Sequence, residues 1–348
     1  MKQIFVPEEI IFVPTQACNL RCAHCFVPQN ADRLNLEKSL EFLQAAIDDG
    51  IVRIGFSGGE PFLALDFVCA VVQKTVEAGA YFDRLMTNAV AFDNDSSMKN
   101  ALKRLLDAGF DGTFGISFDA FHAQKVEKIA AFIKEVESLW QERNHVSLVC
   151  TKKASANTKT LEMLKELAKM LDLRFDYGEA ECEGGAERGC SETLVFPCAL
   201  VYKDKLETFM NDGFEADTIP VETIDFIAET PEDENAWQSD AWFSEDYCEG
   251  PGHVYYVHAD GNVAACCGYA NECSALILGN INSMSYAEIS ARAADSCKRG
   301  FLRTVYKTGL LKEAEKLEKL GYKFPGKGRT KDNCLFCRYL LQKVKAGE

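Results

Sequence analysis

The chain has 348 residues, 47% hydrophobic and 26% charged, the balance of a globular protein with a sizeable core rather than a disordered or fibrous one. Lysines and arginines number 38 against 53 aspartates and glutamates, and the resulting charge of −15 argues against nucleic-acid or anionic-membrane partners. No apolar run reaches the roughly 18 residues of a membrane helix, and Glu8 and Glu9 break the N-terminal apolar stretch, so a cytoplasmic location is expected. In a reducing compartment the 15 cysteines do not read as a disulfide framework, which an odd total fits badly, and metal or redox chemistry becomes the better expectation.

Short apolar runs predict strands over 10–14, 52–56, 84–87, 113–118, 146–151 and 173–177. Helix-period stretches separate them at 36–49, 65–78, 96–108, 124–140 and 160–171. Asn35 offers a cap to the first helix, and Gly50, Gly79 and Gly109 stand where three helices should stop. Six strands alternating with helices imply parallel β-α units in an α/β fold, a doubly wound sheet or an incomplete barrel. The alternation then fades. Residues 178–198 are rich in Gly and Glu, and 215–247 are acidic and read as an insertion. Beyond His253, HVYYVHA followed by Asp260-Gly261 and NVAACC predicts a hairpin. Helices are expected near 285–294 and 310–320, and CLFCRYLLQKV is the last ordered element.

Cys18, Cys22 and Cys25 form a C-x3-C-x2-C run just after the first strand. Three thiolates on one loop suit an iron–sulfur cluster, and one fewer than the usual four leaves an iron open to an outside ligand. The alternative is a zinc knot or simple packing. At the end of the second strand stands Phe56-Ser57-Gly58-Gly59-Glu60-Pro61, a turn whose glycines admit close approach to the backbone and whose Glu60 offers a carboxylate to a cation.

In these two motifs the sequence resembles the radical S-adenosylmethionine (SAM) enzymes over roughly residues 8–180. The resemblance implies a partial (β/α)6 barrel with its active site at the C-terminal mouth of the strands. It implies that Cys18, Cys22 and Cys25 hold a [4Fe–4S] cluster whose open iron is chelated by SAM. Gly58, Gly59 and Glu60 would run along the methionine amino group, and His24 would border the adenine. Thr87-Asn88 stands where family members often carry Thr-Asn-Gly, with Ala89 replacing the glycine, and Asn88 is carried over as a SAM contact. Ile116-Ser117-Phe118-Asp119 resembles a pattern near the SAM ribose and carboxylate. Ser117 is the ligand candidate there, while Asp119 is either a contact or a helix cap and His122 either faces the cavity or is structural.

The order of Cys248, Cys266, Cys334 and Cys337 around the hairpin, with Leu278-Gly279-Asn280-Ile281 after it, resembles the SPASM domain and its shorter twitch relative. That resemblance implies one auxiliary [4Fe–4S] cluster on those four cysteines. Cys267 competes with Cys266, a four-cysteine zinc site is equally permitted by the spacing, and Cys273, Cys182, Cys190 or Cys198 leave room for a second site. Cys69, Cys150 and Cys297 read as core.

The expected organisation is therefore a radical SAM core over 1–198, an acidic linker or insertion over 199–247, and an auxiliary-cluster domain over 248–348. The expected activity is reductive cleavage of SAM to a 5′-deoxyadenosyl radical that abstracts a substrate hydrogen atom, with ferredoxin or flavodoxin as electron donor. A peptide or protein substrate is favoured, in a maturase or epimerase in which Cys182, Cys190 or Cys198 returns a hydrogen atom. The alternatives are a sugar or aminocyclitol dehydrogenase and a non-catalytic iron–sulfur or zinc protein. Glu179, Glu181, Glu183 and Arg188 are polar candidates for substrate contact.

Overall fold

The computed structural model describes residues 6–25, 27–178, 195–202, 218–225, 253–268, 271–304, 309–322 and 333–345. Its first half is a β-α series: β1 (Glu9–Phe12), α1 (Leu36–Asp48), β2 (Arg53–Phe56), α2 (Leu65–Glu77), β3 (Tyr81–Thr87), α3 (Asp95–Ala108), β4 (Thr113–Ser117), α4 (Val126–Trp140), β5 (Val146–Lys152), α5 (Ala154–Met170) and β6 (Leu173–Gly178). Asn35 caps α1 by accepting the Lys38 N–H, and left-handed Gly50, Gly79 and Gly109 follow α1, α2 and α3 as expected. The helix expected over 160–171 starts earlier, at Ala154, because Asn157 accepts the Lys153 N–H and secures that first turn.

Strands β1 to β5 lie side by side in parallel. The helices bury their apolar faces on the sheet around Phe62, Phe114, Phe132 and Trp140, where Phe114 meets Phe132 and Trp140 edge-on at 5.6 and 5.3 Å between ring centroids. The Trp140 indole N–H donates to the Phe110 carbonyl, so the one polar atom of that ring is satisfied.

The sixth unit departs from expectation. Strand β8 (Thr218–Asp225), within the segment expected to be acidic linker, pairs in parallel with β5. β7 (Val195–Tyr202) runs antiparallel to β8, and β6 is displaced to the sheet edge beyond β7. Residues 218–222 (TIPVE) alternate in the manner of a half-buried strand, a local signal that the surrounding acidic composition masks.

The other edge also grows. β9 (Val254–Val257) pairs in parallel with β1, β10 (Asn262–Ala264) turns back against it, and β11 (Ile277–Asn280) follows antiparallel. The hairpin expected at Asp260-Gly261 is thus present, with Gly261 at φ +89°. The full order is β11-β10-β9-β1-β2-β3-β4-β5-β8-β7-β6, an open sheet that does not close into a barrel. Longer helices follow among the described residues, α6 (Tyr286–Arg299), α7 (Leu310–Lys319) and α8 (Asn333–Lys345). A Ser285–Glu288 capping box starts α6, and the Tyr286 hydroxyl reaches the Asp49 carboxylate at 2.7 Å, fastening α6 to the end of α1.

Candidate functional site

The cysteine triplet occupies a loop leaving the C-terminal end of β1. Its two ends are tied together by the Thr15–Arg33 bridge and by the Thr15 hydroxyl, which donates to the Asp32 carbonyl at 3.0 Å. The Cys25 N–H donates to the Cys22 carbonyl at 3.1 Å, the tight turn that a C-x2-C spacing allows. Cys18, Cys22, Cys25 and His24 line one cavity together with Ser57, Gly58, Gly59, Asn88 and Ser117, drawn from the ends of β1 to β4. Met86, Thr87, His122 and Ile224 line the same space.

Gly58 and Gly59 serve a role that the motif alone does not disclose. The Gly59 and Glu60 N–H groups donate to the Thr15 and Ala17 carbonyls at 3.0 and 2.9 Å, so the turn grips the cysteine loop from beneath. A Cβ on Gly59 would stand 2.2 Å from the Ala17 oxygen, and one on Gly58 would stand 2.5 Å from Val13 Cγ1. The glycines admit the approach of the cysteine loop as well as lining the cavity.

Glu60 corrects the sequence reading. Its carboxylate is fully buried, accepts the Thr87 hydroxyl, the Asn88 N–H and the Phe62 N–H at 2.9, 2.8 and 3.1 Å, and does not face the cavity. Burial pushes its pKa up to about 7 against the pull of those three donors. The side chain locks the end of β3 onto the β2 turn and so aims Asn88, whose amide donates to Asn19 Oδ1 at 2.8 Å and to Cys18 Sγ at 3.7 Å. Ala89, where family members often have glycine, adopts the left-handed conformation at φ +56°, so the glycine geometry survives its replacement.

Asp119 proves to be a cap. One oxygen accepts the Phe121 and His122 N–H groups, the other accepts the Thr151 N–H, and His122 Nδ1 lies 2.8 Å from the first. Burial acts to raise its pKa, but the His122 bond, the neighbouring imidazoles and the Thr151 N–H outweigh it and hold the carboxyl below its ordinary value. The cap closes a turn that precedes α4, and it sets His122 against His24 with ring centroids 4.6 Å apart. Burial, then His122, pushes His24 down to about 4, so its ring is neutral at pH 7. Sequence reasoning missed Gln124, whose amide donates to the Asn88 and Ser117 carbonyls at 2.7 and 2.8 Å and staples the ends of β3 and β4. Nothing in the local pattern marks it, because its partners lie on two other strands.

Among the described residues, the group of three His, Cys, Asp or Glu ligand atoms found within 4.8 Å of one another is His24–Asp119–His122. The three thiolates are therefore spread wider than the roughly 3.8 Å sulfur–sulfur spacing that a 2.3 Å tetrahedral zinc bond requires. Burial, then Cys25 and Cys18, pushes the Cys22 pKa up to about 12, so its thiolate needs a nearby cationic centre. The spacing fits a cluster better than one zinc ion, while the raised thiol pKa calls for a cationic metal centre of either kind.

Towards the other sheet edge, Cys266 is buried and Cys267 exposed. A Cβ on Gly268 would stand 2.7 Å from Cys334 Sγ and 3.6 Å from Cys266 Sγ, and its N–H donates to Cys266 Sγ at 3.2 Å. The start of α8 is thus brought against the end of the hairpin. Cys337 is also buried, on the same helix. Cys150 and Cys297 are buried and Cys69 is half-buried, as expected of core thiols. Cys182, Cys190 and Cys248, and the polar candidates Glu179, Glu181, Glu183 and Arg188, lie outside the described residues, while Cys198 falls within β7.

The radical SAM superfamily model matches residues 12–143, and the SPASM iron–sulfur cluster-binding domain model matches residues 248–311. A GTP 3′,8-cyclase of Helicobacter pylori is 34% identical over 124 residues, covering 33% of this chain and 36% of that protein. A PqqA peptide cyclase of Granulibacter bethesdensis is 28% identical over 133 residues, covering 37% of this chain and 33% of that protein. The matched segment thus spans about a third of the length of these curated relatives. In fold, the chain is similar to native anSMEcpe with bound AdoMet and Cp18Cys peptide, at a TM-score of 0.52 and 16% identity, covering 98% of this chain and 95% of that one. No helix among the described residues is long and apolar enough to cross a membrane. A thiolate loop gripped by a glycine turn at the mouth of a parallel sheet, and a cysteine-bearing hairpin at that sheet's edge, are accounted for together: the chain belongs to the radical SAM superfamily and carries a SPASM iron–sulfur domain.

Proposed function

We propose that this chain uses Cys18, Cys22 and Cys25 to hold a [4Fe–4S] cluster and the adjoining cavity to hold SAM, and that it acts on a peptide or protein substrate. When bound, cluster and SAM supply reductive cleavage of the sulfonium and a 5′-deoxyadenosyl radical that takes a hydrogen atom from the substrate. The observation that carries this reading is the convergence of the three thiols, the Gly58-Gly59 backbone, Asn88 and Ser117 on one cavity.

The protein's own groups hold and orient. The backbone of the glycine turn braces the cysteine loop, Asn88 supports Cys18, and neutral His24 supplies a flat face beside His122. Met86 and Ile224 give the cavity apolar walls. One strand step deeper, Arg84 and Glu222 pair across the concave face through two bonds of 2.7 and 2.6 Å, a polar floor beneath those walls.

A peptide substrate is supported by the likeness to a PqqA peptide cyclase and by a net charge of −15, which favours a cationic chain. The likeness to a GTP 3′,8-cyclase favours a second reading, a small-molecule substrate. Cys266, Cys334 and Cys337, with Cys248, are the proposed auxiliary ligands, Cys182, Cys190 or Cys198 the proposed hydrogen-atom donor, and a ferredoxin or flavodoxin the proposed electron source. Anaerobic reconstitution with iron and sulfide, followed by dithionite and SAM, is expected to yield 5′-deoxyadenosine. No 5′-deoxyadenosine from protein with full iron content overturns the proposal. Stimulation of its formation by lysine-rich peptides, and not by nucleotides, separates the two substrate readings.

A further inference from the structure

A second cleft of about 280 Å³ opens on the other side of the cysteine loop, between that loop and the turn of the β9–β10 hairpin. Two side chains that line it are nine-tenths buried, and each has a buried polar atom with no partner among the described residues, Gln16 Oε1 and His258 Nε2. Desolvating such atoms is costly when nothing is bonded to them. Both are acceptors. Burial pushes the His258 pKa down despite Asp260 and a bond from the ring to the Asn271 backbone, and on the neutral ring that donates this bond the unpartnered Nε2 is left as a lone pair. Gln16 is held in place from its backbone, whose N–H donates to the Asp32 carbonyl at 3.1 Å.

The rim has the same polarity. Asp32, Asp260 and Glu272 are exposed around the opening, with Arg338 close enough to Glu272 to offset one of the three charges. Asp32 and Asp260 already accept from Asn30 and Asn262, which fixes their direction and leaves further lone pairs. Acceptors inside and carboxylates outside call for a cation that brings its own N–H donors. A single metal ion fits poorly, because His258, Asp260 and Glu272 do not bring three ligand atoms within 4.8 Å of one another. Pro28 and Ile277 supply apolar wall for an aliphatic stem.

We infer that this cleft binds the guanidinium or ammonium end of an arginine- or lysine-type side chain, seated on Gln16 Oε1 and His258 Nε2 and encircled by the three carboxylates. The site is separate from the SAM cavity, and the inference stands whatever substrate the radical chemistry takes. Because Gln16 lies two residues before Cys18, an occupant bears on the base of the cluster loop.

The test is equilibrium dialysis of the full-length, anaerobically reconstituted protein, with SAM saturating so that its own cavity is closed to the probe. Nα-acetyl-arginine amide is expected to bind saturably, and its uncharged citrulline counterpart at least tenfold more weakly. Gln16→Leu is expected to weaken arginine binding at least tenfold. Glu272→Gln, on the exposed rim where folding is not at risk, is expected to weaken it several-fold at unchanged iron content. A tenfold preference for a short arginine-containing peptide over the free amino acid identifies a polypeptide as the source of the cation, and equal affinity identifies a metabolite. Either supports the site. Equal binding of arginine and citrulline, the absence of saturable binding, unaltered binding by the Glu272 variant, or displacement of arginine by zinc chloride alone overturns the inference.

Discussion

Replacing Gly59 by alanine tests how the cofactor loop is held. Gly59 is not in the left-handed region, so the substitution adds a methyl group without backbone strain. The new Cβ would stand 2.2 Å from the Ala17 oxygen and 2.6 Å from the Gln16 oxygen, where a close carbon–oxygen contact is roughly 3.3 Å. Both obstacles are backbone, so the loop must retreat by about 1 Å. That movement breaks or lengthens the Gly59-to-Thr15 and Glu60-to-Ala17 hydrogen bonds. Two such bonds at roughly 0.5–1.5 kcal/mol each, with roughly 1–3 kcal/mol for the strain of overpacking, predict a loss of about 2–6 kcal/mol. Gly50→Ala is the control, because its Cβ meets nothing within 4 Å and its cost is only that of φ +103°, about 1–2 kcal/mol. Urea unfolding gives the stabilities, and iron per chain after reconstitution reports the loop. The reasoning fails if Gly59→Ala costs no more than Gly50→Ala and takes up iron like the parent.

Four further outcomes are expected. Glu60 has its folded pKa raised from 4.5 to about 7, so the folded state holds the extra proton in that window and Glu60 makes stability fall as pH rises through it. Glu60→Gln should remove that component, and parallel stability–pH curves for parent and variant would refute it. Asp119, held below 3.8, stabilises at neutral pH and loses its contribution as pH falls through its folded value. Asp119→Asn turns an acceptor into a donor facing buried N–H groups and should cost about 1–3 kcal/mol in urea unfolding, with a loss under about 0.5 counting against the cap. Cys266→Ser and Cys334→Ser should each lower iron per chain to the same level as the double variant, whereas Cys267→Ser keeps the parent's iron. Equal loss from Cys267→Ser would reverse that choice. Arg84 and Glu222 are about a third and nearly half exposed, so a double-mutant cycle in urea should give a coupling under about 1 kcal/mol. A larger value would mean that the pair sits in a drier environment than its exposure indicates.

Much of this protein is written locally. The six apolar runs became strands because each needs only its own neighbours to favour extension, and the left-handed glycines ended helices where the chain itself had to turn. The cysteine spacing was legible for the same reason: three ligands on one short loop need no tertiary structure to be close. What could not be read are contacts between distant segments. Period-two alternation identifies 218–222 as strand-like but says nothing about its partner, and only packing decided that β8 takes the place beside β5 and leaves β6 at the edge. The carboxylate of Glu60 reads as a ligand in the motif, yet three donors gathered from β3 and its own turn draw it inward. Arg84 finds Glu222 across 138 positions, and Gln16 shares a cleft with His258 only because β9 lies alongside β1. Chain order sets which side chains exist and the local geometry they favour; which of them meet depends on how the sheet folds the distant parts of the chain together.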